Sequence, residues 1–214
     1  MASLNNLPIG TRLGAGFGVV ILGIAGVGAA AFLALSTVKT EYDHLAENYL
    51  PKVLQVQDAQ DNTNVVARSI RNVALFKDAK IQSEEVARIK QAREANNEIF
   101  AKFEKEIVSP RGKQLLKAAE ESRKPYADAL DRTLAAFAAG KDVEGRELLL
   151  GTLRPAQSAY QKAFGDLGKF QQELMKEADK EVEGAIAMGK IQMGVVGLVA
   201  ALLGAFLGWW IARS

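Results

Sequence analysis

Residues 13–38 read LGAGFGVVILGIAGVGAAAFLALSTV, 26 residues without a charged side chain. Near the other end, residues 191–212 read IQMGVVGLVAALLGAFLGWWIA, 22 residues equally free of charge. A helix rises about 1.5 Å per residue, so the two runs reach roughly 39 and 33 Å. The hydrocarbon core of a bilayer is about 30 Å thick. Both runs are therefore predicted as transmembrane helices. Arg12 and Lys39 bound the first, Lys190 and Arg213 the second. Trp209 and Trp210 sit near the end of the second, where aromatic side chains meet the headgroups. A cleaved signal peptide is the competing reading of the first run, with Ala29-Ala30-Ala31 or Ala34-Leu35-Ser36 as its cleavage site. A signal core is only about 7–15 residues long, and this run is far longer.

Working outward, the charges fall between the two runs. Residues 39–190 carry 25 of the 27 Lys and Arg and all 25 Asp and Glu, so that segment is neutral. It has no cationic surplus for nucleic acid. One histidine, His44, and no cysteine leave no metal cluster, thiol chemistry or histidine relay. No catalytic residue, metal or cofactor is expected. The domain layout is then 1–12 as a cytoplasmic N-terminus, 13–38 as the first span, 39–190 as a water-exposed domain, 191–212 as the second span and 213–214 as the start of a cytoplasmic part. Two spans put both termini on one side. Arg12 and Arg213 favour the cytoplasm for them, which places 39–190 in the periplasm or outside the cell.

Within 39–190 the apolar residues recur at steps of three and four, the period of a helix. A first helix continues out of the membrane to about Phe76, with a stripe of Val56, Ala59, Thr63, Val66, Ile70 and Val73; Pro51 is expected to kink it. Ser83 with Glu84 and Glu85 reads as the next start, followed by Val86, Ile89, Ala92, Phe100, Phe103 and Ile107. Ser109-Pro110 is a third start, cap then proline at the first helical position. Leu116, Ala119, Tyr126, Leu130, Leu134 and Phe137 follow it. Gly140 closes that helix and Asp142 is expected to cap the fourth. The fourth carries Leu149, Leu153, Ala156, Tyr160, Ala163 and Leu167, bends at Pro155 and runs into the second span. Short connections between matched stripes predict an all-α fold: an antiparallel up-down-up-down four-helix bundle continuous with two transmembrane helices. A lone coiled coil fits the Ser109-Pro110 and Gly140 breaks poorly.

In the second span Gly194, Gly197, Ala201, Gly204 and Gly208 share one face, which suits close helix packing in lipid. The glycines at 14, 16 and 18 follow no strand and do not make a nucleotide loop.

One polar constellation stands out. Asp61, Asn64, Arg68 and Arg71 share a face of the first helix, beside its apolar stripe. Two guanidinium forks an i,i+3 step apart suit a carboxylate, whose two oxygens match their planar donors. The plainer alternative is ordinary surface ion pairing. At about the same distance from the membrane, roughly 30 residues along each helix, the fourth helix offers Thr152, Arg154, Gln157 and Tyr160. Tyr160 lies on the apolar stripe and reads equally well as a core aromatic. The candidate ligand-binding set is Arg68, Arg71, Asn64, Thr152, Tyr160 and Gln157.

The opening Leu7-Pro8-Ile9-Gly10-Thr11-Arg12-Leu13-Gly14-Ala15-Gly16-Phe17 resembles the IGxRLxxGF start of bacterial methyl-accepting chemotaxis proteins with a four-helix-bundle sensor. The order of span, helical bundle and span is similar too, and so is the segment from Asn64 to Asn72 to the arginine-bearing ligand helix of those sensors. The resemblance implies a homodimer or a higher oligomer in the inner membrane. It implies a small carboxylate held between subunits by Arg68, Arg71 and fourth-helix groups near Thr152 and Tyr160. Amino-acid-sensing members carry a further first-helix arginine; Asn64 and Asp61 stand at the neighbouring positions here. The implied ligand is then an amino acid or another acid, such as a C4-dicarboxylate, citrate or an aromatic acid. A HAMP linker and a cytoplasmic coiled coil are expected beyond Ser214, reaching a downstream kinase and adaptor. Rival readings are the sensor of a membrane histidine kinase or cyclase, and a membrane-anchored structural bundle without a small ligand. An enzyme is the weakest.

Overall fold

A computed structural model describes residues 8–213. Leu7 of the opening motif, most of the expected N-terminal stretch 1–12 and Ser214 lie outside the described residues. The elements are α1 (Ile9–His44), a π-helical turn (Leu45–Tyr49), α2 (Leu50–Leu75), α3 (Ala79–Glu106), α4 (Pro110–Ala138), α5 (Asp142–Leu148), a second π-helical turn (Leu149–Leu153) and α6 (Arg154–Arg213). There is no strand among the described residues. The chain divides into two compact units, one formed by Glu47–Lys176 and the other by the residues before and after it.

The first unit is the antiparallel four-helix bundle: α2, α3, α4, and a fourth leg of α5, the π turn and the start of α6. Its connections are three residues each, and their chemistry is local. Asp78, and not Ser83, caps α3: its carboxylate accepts from the backbone N–H of Lys80 (2.8 Å) and Ile81 (3.0 Å). The helix therefore starts four residues before the predicted cap, and Ser83 is inside it. Gln82 donates to the carbonyls of Val73 (3.2 Å) and Phe76 (2.8 Å), closing the end of α2. The predicted Ser109 cap is present, accepting from Gly112 N–H at 3.1 Å with Pro110 as the first helical residue. Gly140 turns the chain with φ of 73°, a conformation in which a Cβ would clash. Asp142 is the first residue of α5 and not its cap; its carboxylate pairs with Lys77 at the end of α2, which holds it below the usual range.

Two prolines follow π turns at the same offset. Pro51 is the second residue of α2 and Pro155 the second of α6. Proline has no N–H, and its ring crowds the carbonyl four residues back. The wider turn before each proline relieves that contact. The kinks expected at Pro51 and Pro155 take this form.

The core follows the stripes. On α2, Val56, Ala59, Thr63, Val66, Ile70 and Val73 are all buried. On α3, Val86 is 43% exposed, and the inward position beside it belongs to Glu85, only 6% exposed. Phe164 joins the core of the fourth leg beside Tyr160 and Leu167. Its ring lies 5.3 Å from Phe100 and 6.2 Å from Phe103. One layer is polar. Asn62 donates to Asn96 Oδ1 at 3.0 Å; Asn96 donates to the Ala59 carbonyl at 3.3 Å and to Thr63 Oγ1 at 3.4 Å. This layer ties α2 to α3.

In the second unit, α1 and the far part of α6 each contain an 18-residue window of mean hydropathy 2.4 and 2.2, none of it buried. A core helix of a soluble protein would be covered; these two long apolar helices fit two membrane spans. They meet along a seam of small residues. A Cβ on Gly23 would stand 2.8 Å from that of Ala200, and one on Gly189 2.8 Å from that of Ala34. The predicted small-residue face lies mostly off this seam: Gly204 has Val20 at 3.9 Å, while Gly194, Gly197 and Gly208 meet nothing within 4 Å.

Candidate functional site

A cleft of about 410 Å³ opens in the bundle between α2 and the fourth leg. Arg71 stands on one side; Arg154, Gln157, Ser158 and Gln161 stand on the other, with Ile70 and Leu149 supplying apolar wall. Arg154, Gln157 or Ser158, and Gln161 recur at the period of a helix, so one face of α6 supplies all of them. The π turn ends at Leu153, immediately before Arg154, and so sets where that guanidinium stands. Such turns recur at functional positions because the extra residue re-aims side chains.

The cleft is cationic. Arg71 and Arg154 both line it, and no acid does among the described residues. Arg71 Nε donates to the Ala67 carbonyl at 2.7 Å, which ties the guanidinium to its own helix beside the cleft. Gln161 donates to Asn64 Oδ1 at 3.1 Å across the helix pair. The arrangement offers two guanidinium forks and amide donors to an anion the size of a small organic acid.

The sequence candidates separate on this geometry. Arg71 and Gln157 line the cleft, and Asn64 is tied to it through Gln161. Arg68 is exposed on the same helix, outside the lining, and Thr152 is exposed in the π turn. Tyr160 is buried, 2% exposed, stacked on Tyr126 at 5.2 Å and 11°. Burial pushes its hydroxyl up to about 12, so the group stays neutral. It packs in the bundle core, outside the lining of the α2 cleft, and borders a smaller cavity with Arg123 and Tyr126. Arg154 was legible as a fourth-helix polar group. Ser158 and Gln161 were missed; their spacing from Arg154 on one helical face is the signal that would have found them.

A bundle whose first and last helices join long apolar segments is the build of a membrane-anchored sensor. Residues 6–184 match the family model of the four-helix-bundle sensory module for signal transduction, and the chain belongs to this family of methyl-accepting chemotaxis sensor modules. No curated protein sequence matches the chain.

Proposed function

We propose that the chain is the sensor and transmembrane part of a chemoreceptor, that it binds a small carboxylate in the cleft between α2 and the fourth leg, and that it passes the signal along α6 to a cytoplasmic output region. The observation that carries the reading is the pairing of Arg71 with Arg154 across a cleft whose wall holds no acid. In this reading the bundle is periplasmic and works as a homodimer, in which Arg68 and Thr152 extend the site toward a second subunit. The protein binds and transmits; it does not catalyse. Coupling of this kind is limited by the ligand's differential affinity for two packings of the bundle, typically about 1–3 kcal/mol.

The test is calorimetric titration of the full chain in lipid nanodiscs with C4-dicarboxylates, citrate, aromatic acids and amino acids. A hydrogen bond to a charged group is worth about 1.5–3 kcal/mol, so each arginine removed weakens binding roughly tenfold to a hundredfold. The double variant Arg71→Ala, Arg154→Ala is expected to lose at least about a hundredfold while keeping its helical spectrum. A folded parent that binds none of the acids, or a double variant that binds as well as the parent, overturns the reading and favours a structural bundle.

A further inference from the structure

Lys52 is the one buried lysine among the described residues, only 8% exposed. Lysine is almost never covered to this degree unless it is paired. Its place in the chain is specific. It is the third residue of α2, next to Pro51 and just past the π turn Leu45–Tyr49. The compact unit of the bundle begins inside that turn, at Glu47. Pro51 has no N–H, so the main chain makes one tie fewer across this junction. The Lys52 side chain supplies another: its ammonium donates to the side-chain oxygen of Asn48, within the turn.

The charge itself is poorly accommodated. Burial pushes the Lys52 ammonium below its ordinary 10.5, and the Glu106 carboxylate at the end of α3 opposes that effect. Glu106 is the charged group that bears on Lys52 from another element. A covered ammonium has to keep such partners in place, because an unpaired charge away from water is costly. A neutral amine carries no such demand. It also loses the charge assistance that makes the bond to Asn48 strong.

We propose that Lys52 is a proton-operated latch on the π turn. Charged, it ties Asn48 to the start of α2 and holds Leu45–Tyr49 in its wide form. Uncharged, it lets Asn48 go, and the turn loosens. The latch is separate from the cleft of Arg71 and Arg154.

The probe is a nitroxide on Glu47→Cys, an exposed position of the turn in a chain with no cysteine of its own. Electron paramagnetic resonance spectra of the full labelled chain in nanodiscs are taken from about pH 7.5 to about 11, across the ordinary lysine range. The label is expected to pass from an immobilised to a mobile spectrum with a midpoint below 10.5. Adding Asn48→Ala is expected to make it mobile at the lower pH already. Lys52→Met and Lys52→Arg should each abolish the transition, the first because nothing titrates there, the second because a guanidinium stays charged. Thermal unfolding supplies a second readout. The unfolded chain keeps this proton to about 10.5 and the folded chain releases it earlier, so Lys52 contributes a gain in stability as pH rises between the two values. The melting temperature of the parent should therefore climb relative to that of Lys52→Met over that window. A label that stays immobilised to the top of the range in a folded parent overturns the proposal. So does a transition that survives in both Lys52 variants, since it would belong to another group, such as Tyr49 in the same turn.

Discussion

Glu85 shows how one charged residue earns a place in an apolar stripe. Its carboxylate accepts from Asn72 at 3.1 Å and from Arg88 at 3.2 Å. The Ser69 hydroxyl beside it, more than any other neighbour, holds its carboxyl below the ordinary 4.5, against the opposing effect of burial. The folded state therefore releases this proton more readily than the unfolded chain. The stability it brings is in place above the usual glutamate range and is lost as pH falls through the lowered value. Glu85→Gln is expected to cost about 1–3 kcal/mol at neutral pH, from hydrogen bonds left poorly matched, and to flatten the acid limb of a melting-temperature profile. An unchanged acid limb would mean that another carboxylate governs it. The apolar period pointed to Val86 at this turn. Only the partners arriving from α2 make the acid the inward choice, and a period carries no information about partners.

At the scale of elements, most of the architecture was legible, because the signals are local and repeat. The α2 stripe, the Ser109-Pro110 start and the Gly140 break all stand where periodicity and capping chemistry put them. Ser109→Ala should remove one cap and cost about 1 kcal/mol, visible as a lower melting temperature with the helical spectrum kept. A variant that melts with the parent would mean that Pro110 and the packing of Ile107 hold that turn alone. Two features were not legible. Asp78 and Ser83 are both good caps, and the choice between them is made by Gln82, which bonds back to the carbonyls ending α2. The π turns also escaped: a proline says that the helix must yield nearby, and says nothing of which turn widens. That second gap matters for the site, because the turn at Leu149–Leu153 sets where Arg154 stands.

For the molecule as a whole, the two apolar helices and the bundle form separate units, and each has its own way of holding helices together. Between α1 and α6 the means is close approach. Replacing Gly23 and Ala200 by cysteines, in a chain with no cysteine of its own, should give a disulfide within one chain on mild oxidation. The Cβ separation of 2.8 Å needs an opening of roughly 1 Å to reach disulfide geometry. Crosslinking only between copies would place the seam elsewhere. The candidate site was half legible for a related reason. Arg71 and Gln157 could be found because each lies on a readable helix face. Tyr160 could not be assigned, since a stripe does not tell a wall of the core from a wall of a cleft. In the bundle the means is different, and the polar layer of Asn62, Thr63 and Asn96 has a mechanical result. One turn along α2 in either direction the inward residues are Val66, Ala67 and Ala59, whose side chains offer no hydrogen bond. A slide of α2 along α3 by a single turn would part the buried Asn96 amide from all three of its α2 partners and set it against hydrocarbon. The two helices are keyed like a tongue in a slot, and a displacement that carries a signal has to run along the other seams.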